Sequence, residues 1–167
     1  MKDLQTTDSR MYGLMVLYDM HTEFFKRAIE GISDADANRR LDTKANHMAW
    51  IAGSLVQQRF EIAALFGTKL QQKADALFNN YQGIKDGVTY PPLNDFLADW
   101  ERISPMVREI LVGLDKNKLD SDYEMEGMKM THYDLISFMI YREANCIGQI
   151  ALWRRLLDYP ALRYEDM

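Results

Sequence analysis

The sequence predicts an all-α protein, a four-helix bundle with a long crossover between its second and third helices. Four long segments carry the apolar periodicity of amphipathic helices, and no segment shows convincing strand alternation. The connection over 67–92 is too long for a simple up-down-up-down arrangement. At 167 residues, the chain is expected to form one domain, residues 1–167, with a substantial buried core.

The first two helices are predicted over about 9–29 and from 43–46 to 66–67. Gly31 follows the first helix as a natural stop. Residues at helical spacing form one apolar face in each helix: Leu14, Leu17, Tyr18, His21, Phe25 and Ala28 in the first, and Met48, Ile51, Leu55, Ile62 and Leu65 in the second. Two polar residues, Ser54 and Gln58, lie on or beside the second face.

The third helix is predicted over 93–114 and the fourth over 131–157. Pro105 lies inside the third pattern and predicts a kink or a local break after Arg102. Thr131 and Asp134 form a capping-box pattern at the start of the fourth. The crossover has room for a short helix around 74–81, and 115–130 is expected to be a polar, methionine-containing loop.

Composition excludes several classes of function. The chain is 47% hydrophobic and 27% charged, and its net charge of −5 comes from interspersed acids and bases, which argues against a nucleic-acid partner. No apolar run reaches the roughly 18 residues of a membrane span. A single cysteine excludes an internal disulfide, and the first residues lack an apolar signal core, so a cytoplasmic location is expected.

Arg142 is the most informative residue of the fourth helix. It falls on the same predicted face as the apolar residues Leu135, Met139, Cys146, Ile150 and Trp153. An unpaired charge in a core is expensive, so Arg142 is expected to have a buried partner, a wet cavity or a ligand.

Two segments resemble signatures of the DinB/YfiT-like superfamily. The run Asn46-His-Met-Ala-Trp-Ile-Ala-Gly-Ser-Leu55 is similar to its second-helix signature, Trp-Ile/Leu-x-Gly-His-Leu. The run Arg142-Glu-Ala-Asn-Cys-Ile-Gly-Gln-Ile150, followed by Arg154 and Arg155, is similar to its fourth-helix signature, His-x-x-x-His-x-Gly-Gln-Ile. The resemblance covers the helix pattern of nearly the whole chain.

The resemblance implies a metal site that this chain has lost. In the family three histidines hold nickel or zinc, and the corresponding positions here are Ser54, Arg142 and Cys146. Serine is a poor ligand for these metals and arginine cannot bind them, so no metal cofactor is expected. Some relatives are thiol-dependent S-transferases and others are hydrolase-like. Relatives often dimerise through helix faces, and the aromatic content here allows a homodimer.

The leading hypothesis is that the Arg142 guanidinium replaces the ion and anchors a small anionic or amide-bearing ligand. The polar neighbours expected around it are Ser54, Asn145, Cys146 and Gln149, with His47 as a pocket wall or a helix cap. Glu61 is the expected counter-anion, and Glu23 and Glu143 are its rivals. Proximity to Arg142 is expected to favour the thiolate of Cys146.

Two alternatives belong to other classes of function. In the first, the protein is a metalloenzyme whose ligands have moved to residues such as His21, His47 and Glu143. In the second, it is a structural or interaction protein in which Arg142 is locked in an internal salt bridge.

Overall fold

A computed structural model describes residues 4–125 and 127–165 of the chain, and these are mostly helical. The α-helices are α1 (Met11–Ile29), α2 (Asp34–Ala37), α3 (Met48–Leu65), α4 (Leu93–Gly113), α5 (Lys116–Asp120) and α6 (His132–Leu156). Two strands, β1 (Asp122–Met125) and β2 (Met128–Thr131), form an antiparallel hairpin between α5 and α6. The all-α prediction is therefore confirmed at the level of a mostly helical fold.

The four long helices enclose the core. Helix α1 packs against α4 and α6, and α3 packs against the same two helices. Helix α3 is buried on nearly every side between Met48 and Ala63. Among the described residues, no helix is both long and apolar enough to cross a bilayer.

The predicted crossover is present, because α3 ends at Leu65 and α4 begins at Leu93. Its helical part consists of two 3₁₀ turns, Asp75–Leu77 and Asn79–Tyr81, rather than one short α-helix. Between the turns, Phe78 packs against the rings of Trp50, Tyr90 and Phe96. The crossover thus adds an aromatic layer to α3.

Gly53 makes this aromatic layer possible. A Cβ at this position would overlap Cζ of Phe78 and lie 2.8 Å from Cε1 of Phe96. Real Cβ atoms do not approach other atoms so closely, so both rings occupy space that any other residue would fill. The glycine therefore serves close packing rather than an unusual backbone conformation.

Pro105 does not break α4, which runs without interruption from Leu93 to Gly113. Of the two predicted outcomes, the local break after Arg102 is wrong, and the kink stays a prediction. Proline removes the hydrogen bond to the carbonyl four residues earlier, that of Glu101. Both Glu101 and Pro105 are exposed, so water can satisfy this carbonyl.

The segment over 115–130 is more regular than predicted. It contains α5, capped by the side chain of Asp115, and the hairpin that the sequence did not reveal. Gly127 lies in the turn of the hairpin with φ +76°, a conformation that favours glycine. At the start of α6, the capping box between Thr131 and Asp134 is confirmed.

Candidate functional site

The buried face of α6 matches the prediction at Cys146, Ile150 and Trp153 but differs from it in the first half of the helix. Ile136, Ile140, Glu143, Ile147 and Ile150 are buried, whereas Arg142 is only half-buried. One residue corresponds to a rotation of about 100° on a helix, which places Arg142 at the border between core and surface. The prediction that Arg142 lies within the core is wrong, and Glu143 occupies that position.

Arg142 is held by two neutral side chains of α3. Its Nη2 donates to Oγ of Ser54 over 2.6 Å, and its Nη1 donates to Oε1 of Gln58 over 2.9 Å. Gln58 is itself fixed, because its Nε2 donates to the carbonyl of Met139 over 2.9 Å. The structure therefore brings Arg142 and Ser54 together, with Gln58 as an additional partner.

No carboxylate among the described residues lies within ion-pair distance of Arg142. Glu61 is half-buried and close enough to interact electrostatically with Arg142. Burial raises the pKa of Glu61, and its hydrogen bond to Gln57 and the charge of Arg142 only partly oppose this shift. Of the two rival anions, Glu23 pairs with Lys26 and Glu143 pairs with Arg59.

Cys146 lies inward of Arg142 and is 8% exposed. Burial raises the pKa of its thiol, and the carboxylate of Glu143 raises it further, whereas Arg142 lowers it by less than these two effects combined. Arg142 thus acts on the pKa of Cys146 in the expected direction, but burial outweighs it, so the neutral thiol is favoured over the thiolate.

Three other predicted site residues have their own partners. Asn145 and Gln149 are exposed on α6, and Nε2 of Gln149 donates to Oδ1 of Asn145 over 2.7 Å. His47 caps α3, since its Nδ1 accepts from the backbone N–H of Trp50 over 3.2 Å. Burial and the charge of Arg40 lower the pKa of His47, and its ring packs edge-on against Tyr90.

The deepest polar cluster centres on Arg59, which was not singled out from the sequence. Arg59 is completely buried and forms a bidentate ion pair with Glu143, with distances of 2.8 and 2.9 Å. Its Nη1 also donates to Oγ1 of Thr22 and Oγ of Ser104. Burial disfavours the ionised form of Glu143, but Arg59 and His21 outweigh this cost and lower the pKa of Glu143.

Two aromatic rings lie close to the Arg59 guanidinium. Its Cζ lies 3.5 Å from the ring centroid of Trp100 and 3.9 Å from that of Tyr18. Arg59 therefore contacts α1, α4 and α6 from its own helix, α3. The sequence contained a signal for this role, because Arg59 lies at helical spacing between Leu55 and Ile62 on the predicted apolar face.

The Arg59–Glu143 pair is closed to ligands. A groove of about 370 Å³ lies between α1 and α4, and its lining includes Tyr18, Thr22, Trp100 and Ser104. These side chains separate the groove from Arg59, which has no exposed surface. The pair is thus part of the core, and Arg142 remains the accessible cation at the α3–α6 border.

The relocated-ligand hypothesis lacks a complete ligand set. His21 lies near Glu143, with Nδ1 and Oε2 3.4 Å apart, whereas His47 serves as the cap of α3. Within 4–125 and 127–165, no group of three His, Cys, Asp or Glu side chains is arranged to hold a metal ion.

No protein-family model matches the chain, and no curated protein shows significant similarity to it.

Proposed function

We propose that the protein is a DinB-like four-helix bundle that binds a small carboxylate ligand at Arg142. One observation carries this proposal: neutral side chains hold the Arg142 guanidinium in place while no described carboxylate contacts it. The family membership, the bundle architecture and the loss of the metal belong to the proposal and rest on the sequence resemblance.

Three other arginines, Arg59, Arg102 and Arg108, each contact a carboxylate at 2.8 Å. Arg154 is held by backbone carbonyls instead, but it is buried, whereas Arg142 is half-buried. An arginine has five N–H donors, and Arg142 uses two of them on Ser54 and Gln58, so three remain. These donors and the uncompensated charge suit the oxygens of a carboxylate, which can accept two parallel hydrogen bonds.

The surroundings of Arg142 reduce the entropic cost of binding. Ser54 lies on the rigid helix α3, and Gln58 is fixed by its bond to the Met139 carbonyl. A guanidinium that is already oriented loses little rotamer freedom when a ligand arrives. An amide-bearing ligand would use the same donors without the charge attraction, so a carboxylate is favoured over its amide.

The direct test is the substitution Arg142→Met. We expect carboxylate probes (acetate, benzoate and succinate) to bind the wild-type protein, and binding to weaken at least about 10-fold in the variant, the equivalent of one charge-assisted hydrogen bond. Acetamide should bind more weakly than acetate. Saturation-transfer NMR detects such weak complexes, and isothermal calorimetry measures the tighter ones.

Arg155→Met is the matched control, because Arg155 is an exposed arginine on the same helix. It should leave binding unchanged. If both substitutions weakened ligand binding equally, the effect would come from the change in net charge alone, which would contradict the proposal. Unchanged circular dichroism of Arg142→Met would show that lost binding does not reflect lost helix.

Glu61 is expected to make the ligand affinity of the Arg142 site depend on pH. Because the pKa of Glu61 is raised, the group becomes neutral at a higher pH than an ordinary glutamate. Its negative charge opposes an incoming carboxylate, so affinity should increase as the pH falls through this pKa. Glu61→Gln should raise affinity at pH 7 about 2- to 5-fold, within the range for partly screened charges. It should also remove the pH dependence above the pKa of the ligand, and calorimetry at several pH values would measure both effects.

A structural or interaction role is the second candidate. The burial of the Arg59–Glu143 pair favours it, since this bidentate ion pair is enclosed and unavailable to ligands. Absence of binding by the wild-type protein to every probe would support this candidate. Elemental analysis of protein purified without an affinity tag would test the metalloenzyme alternative.

A further inference from the structure

Two half-buried carboxylates near Arg142 form no ion pair with any residue that the structure describes. They are Glu61 of α3 and Asp75 of the crossover. The other carboxylates that are buried or half-buried in 4–125 and 127–165 each pair with a cation: Asp8, Asp19, Asp36, Asp95, Asp99 and Glu143. Glu61 interacts electrostatically with both Asp75 and Arg142, so these uncompensated charges form one cluster.

Glu61 of α3 lies close to Arg142 of α6. Gln58, which accepts from Nη1 of Arg142, precedes Glu61 by three residues, so Glu61 lies about 4.5 Å further along the helix axis. Its side chain reaches back toward that turn, because its carboxylate accepts a hydrogen bond from Gln57, four residues earlier. The Arg142 guanidinium and the Glu61 carboxylate are therefore neighbours that are too far apart for a direct ion pair.

A ligand with one charge at each end can bridge this gap. An α-amino acid in extended form spans about 3.5 Å along its backbone. A charge-assisted hydrogen bond at each end adds about 2.8 Å. Such a ligand joins a cation and an anion that lie up to about 9 Å apart, which is beyond direct contact but within electrostatic range. The arrangement of Arg142 and Glu61 thus matches the charges of an amino acid.

We infer that the ligand of the Arg142 site is an amino acid in its zwitterionic form, with its carboxylate on Arg142 and its ammonium group on Glu61. This inference rests on the proposed function and names the class of carboxylate that the site binds. A simple carboxylate would be repelled by Glu61 and would leave it unpaired. An amino acid pairs both groups at once, so neither charge of the site stays uncompensated.

The surroundings of Glu61 favour a positive charge. Asp75 already has a neutral donor on each oxygen, since Oδ1 accepts from Nε2 of Gln57 over 3.1 Å and Oδ2 accepts from Nδ2 of Asn79 over 3.0 Å. Asp75 therefore adds negative charge near Glu61, and Glu61 remains the carboxylate that a ligand cation would contact. Tyr81, which is 75% exposed, also interacts electrostatically with Glu61, and aromatic ring faces attract ammonium groups.

Three small probes test the inference on the wild-type protein. Glycine carries both charges, whereas acetate and N-acetylglycine carry only the carboxylate. We expect glycine to bind about 2- to 5-fold more tightly than either of them, the range for partly screened charges. Saturation-transfer NMR with competition between the probes would rank their affinities. If acetate bound and glycine bound no more tightly, the inference would be overturned and the proposed function would stand. If no probe bound, both would be overturned.

Glu61→Gln should act in opposite directions on the two kinds of probe. It removes the partner of the ammonium group, so the affinity for glycine should fall about 2- to 5-fold, whereas the affinity for acetate should rise. Glu109→Gln is the matched control, because Glu109 is an exposed glutamate of α4 and its loss changes the net charge equally. It should leave both affinities unchanged. An affinity for glycine that Glu61→Gln raises or leaves unchanged would overturn the inference.

The pKa of Glu61, measured by NMR with carboxyl-labelled glutamate, tests the contact with the ammonium group. A bound ammonium group favours the ionised carboxylate, so saturating glycine should lower this pKa. Acetate should raise it, because acetate neutralises Arg142, whose charge lowers the pKa of Glu61 in the free protein. The resonance of Glu61 is identified by its absence from the spectrum of Glu61→Gln. A pKa that glycine raises as acetate does, or leaves unchanged, would overturn the inference.

Discussion

Replacing Glu143 with glutamine is expected to lower the free energy of unfolding by about 3–5 kcal/mol, the cost of leaving one partner of a buried ion pair uncompensated. Arg59 has no exposed surface and would keep its charge beside the rings of Trp100 and Tyr18. Urea unfolding followed by circular dichroism would measure the loss. The wild-type protein should also lose stability as the pH falls and Glu143, whose pKa is lowered, becomes protonated.

Asp19→Asn is the matched control for this substitution. Asp19 and Arg108 also form a bidentate pair, with distances of 2.8 and 3.0 Å, but both side chains are about 40% exposed. Loss of this ion pair should lower the free energy of unfolding by about 0–1 kcal/mol, as for other surface pairs. If Glu143→Gln cost no more than Asp19→Asn, the buried pair would not hold the core together. The double variant Arg59→Met with Glu143→Met should recover part of the loss, because no charge is then left unpaired.

Substituting Gly53 with alanine is expected to destabilise the protein by about 2 kcal/mol, within the range for overpacked cores. The new methyl group would overlap the ring of Phe78 and press on that of Phe96. Phe78 cannot swing away easily, because it is buried and packs against Trp50 and Tyr90 as well. Thermal unfolding monitored by circular dichroism would measure the change.

Gly13→Ala is the control, and it is expected to change the stability in the opposite direction. Gly13 is an exposed residue of α1, and nothing lies within 4 Å of its Cβ position. Alanine has the higher helix propensity, so this substitution should stabilise the protein by up to about 1 kcal/mol. If alanine stabilised the protein at both glycines, the aromatic layer over α3 would have to adjust freely. That result would contradict the expectation that the packed ring of Phe78 cannot move away.

The sequence predicted the four long helices because their periodicity extends over many residues. It did not predict which of two neighbouring positions faces the core on α6. Arg142 and Glu143 differ by one residue, and a charged residue in an apolar pattern gives no sign of which side it favours. The contact of Arg142 with Ser54 was predicted, because both residues lie on the facing sides of α3 and α6.

Arg59 shows why the central ion pair was missed. Helix α3 is buried on nearly every side, so its polar residues do not separate into a clear outer face. The partner of Arg59 lies 84 residues away, a distance at which a single sequence carries no pairing information. The hairpin over 122–131 was missed for a local reason, since its four-residue strands are largely exposed and carry charged residues such as Asp122 and Lys129.

The distance between Arg59 and Glu143 along the chain has a consequence for synthesis in the cell. At about 5–20 residues per second, Arg59 leaves the ribosome roughly 4 to 17 seconds before its counter-ion. During this interval α1, α3 and α4 cannot close around Arg59 without stranding a cation. A nascent chain stalled before α6 should therefore stay loosely packed and sensitive to proteases, and docking of α6 should complete the core in one cooperative step.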